Sequence, residues 1–290
     1  MITENTEKDK WLYEITPKAK LLSFDFTGIW QYRDLLMMFV KRDVVTYYKQ
    51  TILGPLWFLI QPLVTSIIQF IVFFKIAKLE SDGIPYFLFA LAGNTLWFYF
   101  SECFKTTSDT FKTNQNIFGK VYFPRIIMPL STTISNLLKF GIQFLLFIAV
   151  LGYYIFKGFA IAPQWTILFT PLLLIVMALM SLGLGMIISS LTTKYRDLTF
   201  VVSFGVSLYM YITPVIYPTS QVIKELPAGY DWLVYVNPLT SIFEFFKYSF
   251  LGKGTFTILG LAYSAGSTLL LFLIGLTIFN RTEKSFIDTI

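Results

Sequence analysis

Apolar residues run along this chain in six long blocks separated by polar stretches. The blocks fall at about 51–76, 85–104, 131–156, 165–191, 198–217 and 256–279. Each is close to the roughly 20 helical residues that cross a bilayer's hydrocarbon core. In lipid every backbone N–H and C=O must be satisfied internally, which an unbroken helix does. The pattern predicts an all-α integral membrane protein with six transmembrane helices.

The stretches between blocks carry their own signals. Residues 28–48, GIWQYRDLLMMFVKRDVVTYY, mix aliphatic and aromatic positions with Arg33, Asp34, Lys41, Arg42 and Asp43. Charge in mid-run makes a poor span and suits an amphipathic helix lying in the membrane interface; a solvated linker is the plainer alternative. In 105–130, Ser108 or Asp109 stands where it can cap a short helix reaching about Ile117, with Gly119 past its end. That helix either docks a soluble partner or simply joins two spans. Residues 218–255 separate the fifth and sixth blocks yet remain apolar. Asn237 followed by Pro238 reads as a helix start and Gly252 as its end. The helix is too short to span, so an outer re-entrant or interfacial hairpin is expected, its irregular backbone buried in protein or lining a cavity.

Charge sets the orientation. Only 14% of residues are charged and 55% are hydrophobic, against about 25% charged in soluble domains. Sixteen of the 23 Lys and Arg residues lie in the N-terminal stretch, 105–130, 192–197 and the tail after Asn280, and six lie on the opposite loops. The positive-inside rule puts both termini in the cytoplasm. It also accounts for the net charge of +6 without nucleic acid. The expected organisation is a cytoplasmic tail and interface helix at 1–50, a six-span membrane domain at 51–280 and a cytoplasmic tail at 281–290. The polar first 20 residues have no apolar core of a cleavable signal.

Candidate chemistry is sparse. The chain has no histidine, and Cys103 is its one cysteine, which removes the commonest general base and an internal disulfide. No phosphate-binding loop of the G-x-x-x-x-G-K-[ST] kind occurs. Neither catalysis nor a cofactor is expected in the chain itself. Glu102 and Lys105 stand as an i,i+3 pair at the inner end of the second block, and Lys139 is placed to snorkel toward the headgroups. None makes a mid-bilayer proton relay, so any transport takes its energy from a partner. Trp57, Phe58, Trp97, Tyr99, Tyr209 and Tyr211 fall within blocks; they either anchor helices or offer ring faces to sugar C–H groups along a channel. Ala178, Ser181, Gly185 and Ser189, and Gly260, Ser264 and Thr268, form small-residue stripes that allow close helix packing, within one chain or between two. Glu244 and Lys247 can pair on the outer helix, for structure or for gating.

Five strings in order carry a resemblance: YKQTILGPLWFLIQP at 48–62, KVYFPRIIMPLS at 120–131, KYRDL at 194–198, TPVIYP at 213–218 and NPLT at 237–240. From about Trp30 to Phe279 the chain resembles polysaccharide-exporting ABC permeases of the type-2 exporter class, which include O-antigen and teichoic-acid export permeases. The resemblance implies a permease homodimer in the bacterial cytoplasmic (inner) membrane. It also implies a separate ABC ATPase subunit that holds ATP and Mg²⁺, and a lipid-linked polysaccharide as cargo. By that likeness Asp109, Lys112, Asn116, Phe118 and Arg125 are ATPase-coupling candidates. Arg33, Lys41 and Arg42 belong to the interface helix. From their place near the inner rim rather than from the likeness, Arg33, Arg42 and Arg125 are either candidates for a pyrophosphate headgroup or charges that only orient the chain. Trp57, Phe58, Trp97, Tyr99, Tyr209 and Tyr211 become channel-lining candidates, and Tyr217, Asn237, Glu244 and Lys247 outer-gate candidates. The alternatives are the same machine carrying teichoic acid, a lipid or a drug, and a membrane transferase acting on lipid-linked sugar.

Overall fold

The computed structural model describes residues 26–286 except 50–52, 122, 196 and 228. The polar N-terminal tail, Arg196 of the KYRDL string and the last four residues lie outside the described set. Among the described residues the chain is helical with no strand. Two short helices, α1 (Phe26–Gln31) and α2 (Arg33–Tyr48), occupy the predicted interface segment and are broken at Tyr32. A 3₁₀ turn at Gly54–Leu56 leads into α3 (Trp57–Gln69), which widens into a π-helical stretch at Phe70–Ile76. Then come α4 (Tyr86–Ser108), the short α5 (Thr110–Phe118) and α6 (Ile127–Phe156). A 3₁₀ turn at Trp165–Phe169 opens α7 (Thr170–Thr192), followed by α8 (Leu198–Ile212). Short helices α9 (Thr219–Glu225) and α10 (Trp232–Val236) precede α11 (Pro238–Leu251) and the long α12 (Ile258–Phe286).

Among the described residues, four segments are long and apolar enough to cross a membrane: Gly54–Ile76, Ile127–Phe156, Trp165–Thr192 and Ile258–Glu283. The other two predicted blocks differ for physical reasons. The second, α4, is long enough but carries Asn94, Thr95, Ser101, Glu102 and Lys105. Most of it is buried between α3, α6, α7, α8 and α11. A helix shielded by its neighbours needs no lipophilic exterior. The fifth, α8, stops at Ile212, short of the predicted 217, because Pro214 pushes Thr213 out of helical geometry: its ψ is 141°.

The polarity is inverted relative to a soluble core. Leu145, Leu168, Phe200, Phe204, Ile258 and Leu259 are exposed, while Ser66, Asn94, Thr95, Ser181 and Thr268 are buried. Inside, Asn94 Nδ2 donates to Ser66 Oγ and Gln69 Oε1, both at 2.8 Å, tying α4 to α3. This is the distribution of a multi-pass membrane protein, where packing and interhelical hydrogen bonds hold helices together. The small-residue stripes pack within the chain. Gly183 of α7 and Gly275 of α12 meet backbone to backbone, so a Cβ on Gly275 would overlap the Gly183 carbonyl. Gly185 lies against Thr107 of α4, and Gly260 against Ser241 of α11.

Candidate functional site

The helices enclose a cavity of about 450 Å³ walled by α3, α4, α6 and α8. Five of the six aromatic candidates line it: Trp57, Phe58, Trp97, Tyr99 and Tyr211. The sixth, Tyr209, stands behind the wall, its ring 6.0 Å from that of Trp97 and its hydroxyl donating to Asn237 Oδ1 at 2.7 Å. Between the rings lie Gln61, Ser101, Asn136, Gln143 and Ser207. Ring faces interleaved with amides and hydroxyls form a surface suited to carbohydrate, whose C–H patches stack on rings while its hydroxyls exchange hydrogen bonds.

The cavity's charged groups are Glu102 and Lys105 of α4 and Lys139 of α6. The expected Glu102–Lys105 pair is not what forms. Lys139 Nζ instead lies 2.9 Å from Glu102 Oε1, and 5.7 Å from the Phe58 ring centroid. The facing helix brings an ammonium directly onto the carboxylate. Lys139 therefore points across to α4 rather than out to the headgroups. Glu102, Lys105 and Lys139 were singled out in the sequence; the uncharged polar lining residues were not. Their signal was there: Asn136, Lys139, Phe140 and Gln143 recur at helical spacing within an apolar run.

At one end of the bundle α5 presents two faces. Lys112, Thr113, Gln115 and Asn116 are exposed; Phe111, Asn114 and Phe118 are buried. The Phe111 ring stacks on Phe279 of α12 with centroids 4.6 Å apart, and its backbone N–H donates to Ser189 Oγ of α7 at 3.4 Å. Asp109 holds the N-cap position without a side-chain capping bond. Phe118 and Arg125 face inward. Arg125 Nη1 donates to Glu283 O at 2.6 Å and its guanidinium lies 5.3 Å from the Phe118 ring centroid, fastening the turn before α6 to the end of α12. Alongside, α2 buries Leu36, Phe39 and Val40 and exposes Arg33 and Lys41, with Trp30, Met37 and Met38 on the open side. Arg42 pairs with Asp43 at 2.7 Å.

At the opposite end α11 begins and ends as its sequence predicts. Asn237 Oδ1 accepts from Leu239 N at 3.0 Å, and Gly252 closes the helix with φ 72°. Asn237 Nδ2 also donates to Thr213 Oγ1 at 2.9 Å. The non-helical residues after α8 are enclosed by protein. Val215 passes so close to α4 that a Cβ on Gly93 would overlap its carbonyl. Tyr86 Oη donates to Ile216 O at 2.7 Å, and Lys247 Nζ donates to Pro214 O at 2.5 Å and Tyr217 O at 3.5 Å. Lys247 also lies 3.7 Å from Glu244 Oε1, both side chains being at most 2% exposed. Glu244 Oε2 accepts from Thr255 N at 2.9 Å. Tyr217 Oη donates to Tyr211 O at 2.8 Å, linking this segment to the cavity rim.

A family model described as ABC-2 type transporter matches residues 34–251. Among relatives, an O-antigen export system permease protein RfbA of Klebsiella pneumoniae is 29% identical over 257 residues, covering 88% of this chain and 94% of its own. A second Klebsiella pneumoniae protein of that name is 28% identical over the same shares of both chains. One from Myxococcus xanthus is 26% identical over 214 residues, 74% of this chain and 79% of its own.

Proposed function

Because this chain belongs to the ABC-2 type transporter family, we propose that it is the permease subunit of an ABC exporter. Its cargo in this reading is a lipid-linked, O-antigen-like polysaccharide, moved across the bacterial cytoplasmic membrane. The observation that carries the reading is the cavity, where aromatic rings and hydrogen-bonding side chains from four helices converge. The names of the three relatives point to the same cargo.

In this reading α4 and α8 complete six spans with the four apolar ones, and both termini lie in the cytoplasm. The segment from Thr213 to Leu251 is the outer re-entrant hairpin. The burial of its irregular backbone against Gly93, Tyr86 and Lys247 supports that depth, since unpaired backbone is not tolerated in lipid. Energy comes from a separate ATPase that binds ATP and Mg²⁺; this chain breaks no bond. The exposed face of α5, with Lys112 and Asn116, seats in that ATPase. Motion passes through Phe111 to α7 and α12, and Arg125 keeps the two ends in step. The amphipathic α2 rests in the inner interface. Two copies of the chain form the pathway, with Asn237, Glu244, Lys247 and Tyr217 at its outer mouth. The glycan, too polar for hydrocarbon, follows the cavity while its lipid stays in the bilayer.

The test uses the full chain with its ATPase in proteoliposomes, following ATP-driven movement of a fluorescent lipid-linked oligosaccharide. Trp57→Ala and Tyr211→Ala, both at exposed wall positions, are expected to slow transport while leaving basal ATP hydrolysis unchanged. Wild-type transport by both variants would remove the cavity from the pathway.

A further inference from the structure

The charged end of the cavity does not balance. Its ionisable residues are two cations, Lys105 and Lys139, and one anion, Glu102. Lys139 is paired at 2.9 Å, its side chain 14% exposed. Glu102 is the looser member, its side chain 44% exposed. Lys105 sits one turn along α4 on the same face as Glu102 and makes no ion pair among the described residues. With α4 and α6 read as spans, a surplus positive charge in a cavity between them is costly and marks a functional pathway more often than a packing role. Next to Lys139 along α6, Asn136 is 1% exposed and its Oδ1 has no hydrogen-bond partner among the described residues. Its Nδ2 donates to Thr106 Oγ1 at 3.4 Å, so Oδ1 is available to accept from a donor in the cavity.

We propose that Lys105 and Lys139 form an anion subsite for the phosphate group at the lipid end of the cargo, with Glu102 as its internal placeholder. The proposal rests on the reading of the cargo as a lipid-linked glycan and adds where its charged junction binds. Before cargo arrives Glu102 holds Lys139 at 2.9 Å, which keeps the ammonium paired; orphaning it would be strongly destabilising. An arriving phosphate offers more charge and more acceptor oxygens than one carboxylate. It takes Lys139 from Glu102 and engages Lys105 through charge-assisted hydrogen bonds. The displaced carboxylate swings to the open side of the cavity. Asn136 Oδ1 then accepts from a hydroxyl of the first sugar. The rings of Trp57, Phe58 and Tyr211 take the glycan beyond it.

The full chain in phosphatidylcholine nanodiscs tests this with four probes: a radiolabelled polyprenyl phosphate, the matched polyprenol, inorganic pyrophosphate, and a polyprenyl diphosphate carrying a disaccharide. Lys105→Gln and Lys139→Gln are expected to weaken polyprenyl phosphate binding about ten- to hundred-fold, the weight of one charged hydrogen bond, and to leave polyprenol binding unchanged. Lys139→Arg retains binding. Glu102→Gln is the decisive variant: it tightens phosphate binding, because it removes the carboxylate that competes with phosphate for Lys139. A purely structural ion pair predicts the reverse, with Glu102→Gln lowering thermal stability and gaining no affinity. Equal binding of phosphate and alcohol, or no tightening in Glu102→Gln, overturns the subsite. Pyrophosphate binding with the same variant pattern supports a site for phosphate in general; a pattern confined to the lipid phosphates supports one for the headgroup. If the disaccharide adds no affinity while the lysine pattern persists, the glycan reading fails and the anion subsite stands.

Discussion

Replacing Lys247 with methionine removes a buried ammonium while keeping most of the side chain's length. That ammonium lies 3.7 Å from Glu244 Oε1, donates to Pro214 O at 2.5 Å and sits 3.9 Å from the Phe89 ring centroid. Two unit charges at that separation attract by about 4.5 kcal/mol at an effective dielectric near 20. Desolvation of both ions offsets much of this, so the pair's net contribution is far smaller. The single substitution is another matter. It leaves Glu244 charged and 2% exposed, with Thr255 as its remaining hydrogen-bond donor. Orphaning one member of a buried pair costs about 3–5 kcal/mol. Glu244→Gln added to Lys247→Met removes the orphaned charge and keeps an acceptor for Thr255. The double variant is therefore expected to be more stable than Lys247→Met alone, with a coupling energy on the order of 2 kcal/mol. Reversible unfolding of the full chain in mixed micelles by SDS titration measures the cycle. Losses that add to within about 0.5 kcal/mol would refute the claim that the two charges depend on each other.

Three further outcomes follow from the packing. Gly275→Leu is expected to prevent assembly of α12 on α7, seen as loss of the monodisperse peak in fluorescence size-exclusion chromatography, while Gly205→Ala, where a Cβ meets open space, leaves the peak unchanged. Tyr209→Phe, which deletes the bond to Asn237, costs about 1 kcal/mol in the SDS titration, and Asn237→Ala costs about 1–2 kcal/mol more because the α11 cap and the bond to Thr213 are also lost; equal costs would show that neither contributes. Lys112→Glu, on the exposed face of α5, lowers permease-stimulated ATP hydrolysis several-fold with no change in thermal stability, and unchanged stimulation would remove that face from the ATPase contact.

What could be read from the sequence was local. Asn237, Pro238 and Gly252 fix the start and end of α11 through capping, fixed φ and left-handed backbone, all within 16 residues. The four strongly apolar spans were legible because hydropathy and length suffice to define them. The stop at Ile212 was also encoded, in Thr213-Pro214, but a run of apolar residues masked it. Long-range facts were not readable. That Lys139 reaches Glu102 before Lys105 does depends on how α6 leans on α4, which no spacing states. The Ser66–Gln69–Asn94 network and the Gly183–Gly275 contact likewise join residues 25 or more positions apart. The aromatic candidates were identified by type, and tertiary packing decided that five face one cavity while Tyr209 braces it from behind.

The most direct test of the central claim is made in the cell. The gene is deleted in a strain without a duplicate permease, and lipid-linked glycan is fractionated between the cytoplasmic face and the cell surface. The export account predicts glycan accumulating inside with the surface depleted, and recovery on expression of the wild-type chain. Normal surface glycan in the deletion strain would contradict polysaccharide export and leave an ABC-2 family permease with a different cargo.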